Sequence, residues 1–355
     1  MGDELAIALV VFFATSAAVI FFGTRLAVYG DALASLTGWG RLFVGSLLLA
    51  AATSLPELST SFSAVSLDPP NPELSVGDAL GSNMLNMLIL AMVVLAFGGK
   101  RFLQRVAPEQ GYLILVAAVM TGAAVIFGAV KMDVAVWQVG LSSLIMLVLF
   151  VLGMRWVYLN RPKEREHDSA GDNPGMTLKK AWLMFGLVSA GVVVAGIFLA
   201  WSADQIAEIT GVASSTLGIL AVSLVTSMPE VATTIAAARM GAADLGVAGL
   251  FGSCTFNVTV LFYADFFYRE GILVNQMEPA HFVAGGVALG LILAGMVLIL
   301  GRNRMKRTVV ATGLALMALV YVAGAASVIT LGTTEDDDSQ VAATRHWSIS
   351  VPSAQ

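Results

Sequence analysis

Ten apolar runs, each long enough to cross a bilayer, constrain this chain more than any other feature. A crossing helix takes about 20 mostly apolar residues. Such runs lie near 5–28, 40–66, 75–98, 110–129, 134–158, 180–203, 212–238, 244–266, 280–301 and 308–331. Residues 5–24, 134–154, 181–203 and 282–301 contain no charge at all. Open sheet edges are forbidden in hydrocarbon and barrel strands alternate polarity, so continuous apolar runs must be helices. The first run is too long for a signal peptide and lacks a basic start, so it reads as a span. The expected class is an all-α polytopic membrane protein with ten transmembrane helices.

Composition closes off the other classes. Only 12% of the residues are charged, about half the share of a soluble domain. That excludes a cytosolic enzyme, and a net charge of −5 excludes a nucleic-acid binder, which needs a basic surface. A single cysteine, Cys254, and three histidines leave no disulfide framework and no Cys-cluster metal site. No cofactor and no obligatory protein partner are expected; the lipid bilayer is the expected surrounding.

Positive charge orients the spans. Of the 19 Lys and Arg, all but Lys131, Arg269 and Arg345 fall in, or within four residues of, the loops after the first, third, fifth, seventh and ninth runs. Those loops are therefore cytoplasmic, and both termini are external. Residues 160–178 form the one long polar break, read as a cytoplasmic linker between a first unit, 1–159, and a second, 179–332. The stretch 333–355, with Glu335, Asp336, Asp337 and Asp338, reads as an acidic disordered tail.

The two units repeat each other. A shift of 173 positions carries Thr53-Ser54 onto Thr226-Ser227, Pro56-Glu57 onto Pro229-Glu230, and Thr60 onto Thr233. A shift of 171 carries Gly81-Ser82 onto Gly252-Ser253 and Asn86 onto Asn257. Each unit holds five spans, an odd number, so the second is inverted relative to the first. Inverted repeats with a binding site between them near the midplane are the signature of secondary transporters.

Glu57 and Glu230 are the carboxylates that this reading places deep in apolar runs, where an ionised group costs several kcal/mol unless paired. Each follows a proline. Pro56 and Pro229 bring no N–H to the helix ladder, so carbonyls are freed beside the acids. Thr53, Ser54, Thr226 and Ser227 lie three or four residues before the glutamates, on the same helical face. Ser82 and Asn86, and their counterparts Ser253 and Asn257, sit four apart on the partner spans. Prolines commonly kink membrane helices and small hydroxyl residues commonly serve packing, but two Pro-Glu pairs at matched positions are hard to read as structural alone. The pooled donors are oxygen, flexible and twice negative. That suits Ca²⁺ and Na⁺ better than Zn²⁺ or copper, which favour His or Cys.

The segment Thr53-Ser54-Leu55-Pro56-Glu57 followed by Gly81-Ser82-Asn83-Met84-Leu85-Asn86 resembles the first α-repeat of the sodium/calcium exchanger group of the calcium/cation antiporters. Thr226-Ser227-Met228-Pro229-Glu230 followed by Gly252-Ser253-Cys254-Thr255-Phe256-Asn257 resembles the second. The resemblance implies ten helices in two inverted five-helix repeats, with ions held between spans two, three, seven and eight. It implies Glu57 and Glu230 as calcium carboxylates aided by the Thr53 and Thr226 carbonyls. Ser54, Ser82, Ser227 and Ser253, with the carbonyls of Ala50 and Ser223, would serve flanking sodium sites. Ala52 and Val225 stand where the family usually has Gly, and Gly77-Asp78 and Ala248-Gly249 replace Gly-Asn. Cys254 replaces an Asn. Asn257 stands where potassium-dependent relatives often carry Asp, which argues against potassium coupling, while Asp78 adds a carboxylate elsewhere.

The expected function is thus a cytoplasmic-membrane antiporter that exchanges Ca²⁺ for Na⁺, with a proton-coupled calcium exchanger as the alternative. A passive channel would need a ring of acids or carbonyls. An intramembrane hydrolase would need a nucleophile and base, and His281 and His167 lie outside the span centres.

Overall fold

A computed structural model describes residues 2–66, 70–161, 175–210 and 215–349. Most of the 160–178 linker and the last six residues of the tail lie outside them. The fold is all-α apart from one small hairpin. Helix α1 (Gly2–Thr37) has 36 residues, about 54 Å of helix at 1.5 Å per residue. It therefore outruns a hydrocarbon core of about 30 Å. The sequence reading ends this span near residue 28; the helix nonetheless continues past Asp31, since polar side chains at a span's end reach the interface without breaking the backbone ladder.

The second run is assembled from four pieces: α2 (Gly40–Phe43), a π-helical turn (Val44–Leu49), α3 (Ala50–Thr53) and α4 (Leu55–Val65). The chain bends by 43° at Ser54 between α3 and α4. Helix α5 (Pro72–Ala96) opens with Asn71 as N-cap, its side chain accepting from the Leu74 N–H at 2.9 Å. The short α6 (Lys100–Leu103) leads to α7 (Gln110–Val130). Strands β1 (Ala135–Val136) and β2 (Val139–Gly140) form the hairpin, with Trp137 fully exposed at its turn, before α8 (Leu141–Leu159).

The second unit opens with α9 (Leu178–Thr210), followed by α10 (Ser215–Thr226) and α11 (Met228–Arg239), which are interrupted at Ser227. Then come α12 (Ala243–Phe267), α13 (Pro279–Gly301) and α14 (Arg307–Ile349). Among the described residues, eight helices are long and apolar enough to cross a membrane, and nine if the pair bent at Ser54 is one span. Helix α14 continues through Glu335–Asp338, where the sequence reading expects a disordered tail. Extending an existing helix fixes one residue per hydrogen bond gained, far cheaper than nucleating a new one.

Helices α5 and α12 are the centre of the molecule: 78% and 89% of their most apolar windows are buried, against 11% for α1. Backbones approach closely where glycine permits. A Cβ on Gly252 of α12 would lie 2.4 Å from the Ser46 carbonyl oxygen, and one on Gly45 would lie 2.7 Å from that of Leu245. The π-helical turn is thereby pressed against α12. Outside this core, α1 and α9 pack together and run antiparallel: Gly30 faces Phe185, and Gly191 faces Phe22.

Candidate ion-binding site

The two helix breaks are near copies. Ser54 (φ −90°, ψ 12°) and Ser227 (φ −82°, ψ 6°) leave helical geometry just after Thr53 and Thr226 and just before Pro56 and Pro229. Each following helix has its glutamate in the first turn, where unpaired N–H groups and the positive end of the helix dipole favour an anion. The backbone is bridged across each break, Ser54 N–H to the Ala50 carbonyl at 2.9 Å and Ser227 N–H to that of Ser223 at 3.1 Å. Thr60 and Thr233 repeat each other as well, donating to the Pro56 and Pro229 carbonyls at 3.0 and 2.9 Å.

The halves are joined crosswise at the glutamates. Ser54 Oγ donates to Glu230 Oε1 at 3.2 Å, and Ser227 Oγ donates to Glu57 Oε1 at 3.4 Å. Ser253 Oγ also donates to Glu230 Oε1, at 3.1 Å, and lies 3.4 Å from Thr53 Oγ1. A few residues along, the central helices meet the same way. Asn257 Nδ2 donates to Asn83 Oδ1 at 3.2 Å, while Asn86 Nδ2 points to Cys254 Sγ at 4.0 Å. Asn83 and Cys254 are themselves counterparts under the 171 shift, and Asn83 Nδ2 donates to the Cys254 carbonyl at 3.1 Å. The shift itself is the sequence signal for this pair.

The structure adds Asp78 to the two glutamates as a buried acid of the site. Asp78 of α5 is fully buried. Its Oδ1 accepts from Thr226 Oγ1 at 3.2 Å, Ser223 Oγ at 3.4 Å and Ser82 Oγ at 3.5 Å. Ser82 thus serves Asp78 here, whereas its counterpart Ser253 serves a glutamate. Of the residues expected at the site, Ala50, Thr53, Ser54, Glu57, Asp78, Ser82, Ser223, Thr226, Ser227, Glu230 and Ser253 gather at the two breaks, Asn86 and Asn257 lie further along the central helices, and none is more than 2% exposed.

Unpaired oxygens mark what such a site can do. Glu57 Oε2, Asp78 Oδ2, Glu230 Oε2, Asn86 Oδ1 and Asn257 Oδ1 are buried with no hydrogen-bond partner among the described residues. Leaving a buried acceptor unmatched costs about 1–3 kcal/mol, more for a charged one. Asp265, another buried acid, shows the structural alternative. One of its oxygens accepts the Leu273 N–H and the other the Gly140 N–H, each at 2.7 Å. Unmatched acceptors on three neighbouring acids fit a partly desolvated hard cation. No three His, Cys, Asp or Glu side chains among the described residues form a metal cage alone, so hydroxyls and carbonyls must complete any coordination. His281 plays a different part, since its Nδ1 accepts the Glu278 N–H at 2.9 Å and caps α13.

The flanks of the breaks differ. Beside α4, a groove of about 350 Å³ is lined by Pro56, Ser59, Thr60 and Ser63, facing Gly196 and Trp201 of α9. The i, i+3, i+4, i+7 spacing after Pro56 is its signal in the sequence. On the other side, α1 packs closely along α11, and a Cβ on Gly23 would lie 2.8 Å from that of Ala232. Gly196, the counterpart of Gly23, touches α4 at a point, where a Cβ would lie 2.7 Å from Pro56 Cγ.

Comparison with known proteins follows the same division. The family described as "Sodium/calcium exchanger protein" matches two stretches, 7–159 and 180–332. "Inner membrane protein YrbG" of Escherichia coli (strain K12) is 29% identical over 254 residues, covering 68% of this chain and 74% of that protein. "Uncharacterized membrane protein MJ0091" of Methanocaldococcus jannaschii is 26% identical over 239 residues, covering 66% and 74%. Among solved structures, the sodium-calcium exchanger NCX_Mj soaked with 2.5 mM Na⁺ and 0.1 mM Sr²⁺ superposes with a TM-score of 0.70 at 21% identity, over 91% of this chain and 99% of that one. That likeness establishes the shared helical membrane fold.

Proposed function

Since this chain belongs to the sodium/calcium exchanger family and is thereby a multi-pass membrane protein of calcium/cation antiport, we propose that it exchanges Na⁺ for Ca²⁺ by alternating access. One observation carries the reading: two glutamates at matched proline breaks, each bonded by the other half's serine and each with an unmatched buried oxygen. One Ca²⁺ neutralises both glutamates and draws on the Thr53 and Thr226 carbonyls. Sodium ions use the same carboxylates together with Ser54, Ser227, Ser82, Ser253, Asn86, Asn257 and the carbonyls of Ala50 and Ser223. Shared ligands prevent full occupancy by both ions, and that competition is the coupling.

Several features support the alternating-access part. The family matches twice, over the two units read from the sequence. Counterpart helices α1 and α9 run antiparallel, as an inverted pair does. The break in α10–α11 repeats that in α3–α4, which supports reading α10–α11 as one broken span, the seventh in chain order. The α4–α9 side carries the groove and the α1–α11 side is packed. With the termini external, the groove lies in the outer half.

The test is ⁴⁵Ca²⁺ uptake into proteoliposomes. An outward Na⁺ gradient at equal pH is expected to drive uptake, and a pH gradient without Na⁺ is not. Uptake driven by the pH gradient alone would assign the counter-ion role to protons.

A further inference from the structure

We propose that the chain holds one aminophospholipid in a groove between α7, α8 and α13, with an acyl chain along the groove and the phosphate and ammonium of the headgroup at its mouth. Two adjoining hollows form the groove and share Leu115 and Trp156. The first, about 510 Å³, is bounded by Glu109 and Tyr112 at the start of α7 and by Met296 and Leu300 of α13. The second, about 240 Å³, continues between α7 and α8 along Val119, Leu149 and Leu152. Leu115, Val119, Leu152 and Trp156 are 39–57% exposed, so the groove is open sideways to the bilayer. It lies apart from the ion site, and its occupant does not depend on which ions are exchanged.

Its dimensions select a lipid chain. From Gly111 to Met120 the groove follows α7 for nine residues, about 14 Å at 1.5 Å per residue. That is close to half of a hydrocarbon core about 30 Å thick. Met120 is also the middle residue of α7 (Gln110–Val130). The groove therefore opens at one end of the spans and stops near their centre, the reach of one chain from one leaflet. Its floor is closed where α8 lies on α7: a Cβ on Gly153 would lie 2.6 Å from Val116 Cγ1. At the mouth the rings of Tyr112 and Trp156 meet edge to face, with centroids 4.9 Å apart, and such residues sit at headgroup level.

Charge at the mouth selects the headgroup. Glu109 lines it, and the exposed Arg155 directly precedes Trp156. Among the described residues neither side chain makes an ion pair or a hydrogen bond. The nearby Asp244 is answered by the Ala107 N–H at 2.7 Å, by Gln110 and by the charge of Arg41; Glu109 has no such partners. A phosphate suits Arg155, and a primary ammonium brings Glu109 a charge and three N–H donors. An anionic headgroup would meet Arg155 and be repelled by Glu109. A quaternary ammonium would bring charge without donors. A headgroup with both a phosphate and a primary ammonium serves both residues while its chain fills the groove. The orientation read from Lys and Arg makes this the cytoplasmic leaflet; the groove itself is independent of that reading.

Native mass spectrometry of the purified full chain tests the proposal, with the protein taken from micelles holding equal amounts of phosphatidylethanolamine, phosphatidylcholine and phosphatidylglycerol of identical chains. Wild type is expected to retain one phosphatidylethanolamine per chain in preference to the other two. Leu152→Trp, which fills the groove from its open side, should abolish that retention. Leu319→Trp, on an exposed apolar position of α14 outside the groove, should leave it intact. Glu109→Gln should reduce the preference for phosphatidylethanolamine over phosphatidylcholine by about 2- to 5-fold, the worth of an exposed ion pair. Equal retention of the three lipids by wild type, or retention that survives Leu152→Trp, would overturn the proposal. Should Leu152→Trp fail to fold, Glu109→Gln decides: an unchanged preference overturns it.

Discussion

At the scale of single residues, Glu57 and Glu230 are held in a condition that a bound cation would relieve. Each has one oxygen matched by serine and the other unmatched in a buried setting. Glu57→Gln and Glu230→Gln should each weaken Ca²⁺ binding by roughly 100-fold or more, since one charge of a desolvated pair is removed. Neither should lower the thermal midpoint in Ca²⁺-free buffer, because the substitution relieves repulsion between neighbouring acids. The rise in midpoint on adding Ca²⁺, which follows ligand saturation, should vanish in both. A lower midpoint in Ca²⁺-free buffer would mean that the acids are structural. The glutamates and their hydroxyl neighbours were legible because proline, acid and hydroxyl recur at one offset. Asp78 was harder to weigh. Its counterpart is a glycine, so the repeat that exposed the other residues gave it no support, and only its three hydroxyl partners in space, from two helices, show its place.

At the scale of elements, hydropathy located the helices well and their internal breaks partly. Proline foretold the interruptions, which fall at Ser54 and Ser227. Nothing local foretold the π-helical turn at Val44–Leu49. Its wider winding is fixed by what it rests on, since Gly45 and Gly252 bring its backbone into direct contact with α12. Gly252→Ala would force a carbon to 2.4 Å from the Ser46 carbonyl oxygen. Overpacking of this kind costs about 1–3 kcal/mol, read as a lower thermal midpoint in detergent. At Gly286, where a Cβ would meet nothing within 4 Å, the same change should leave the midpoint unaltered. The ends of α1 and α9 escaped the sequence because charge marks the edge of the lipid, and these helices continue beyond it.

At the scale of the whole molecule, we propose from the distribution of Lys and Arg that the 160–178 linker is cytoplasmic and the C-terminus external. A reporter in the linker should read as cytoplasmic and one fused at Gln355 as external; both on one side would contradict an odd number of spans per unit. Under the proposed exchange of several Na⁺ for one Ca²⁺, net charge moves and transport is sensitive to membrane potential, at about 2.3 kcal/mol per elementary charge per 100 mV. Imposing an inside-negative potential on oriented proteoliposomes should shift the Na⁺-driven Ca²⁺ flux, and a flux indifferent to potential would indicate electroneutral exchange.

The mismatch of Asp78 with Gly249 bears on time as well as on binding. Two identical halves would make the inward and outward passages mirror images, each with the same barrier. A carboxylate in one half alone removes that equivalence, so the two passages need not take equally long. Detailed balance forbids the difference from altering the gradient finally reached. What a lone aspartate can set is how fast that gradient is approached from either side, so that the same catalyst runs briskly one way and slowly the other.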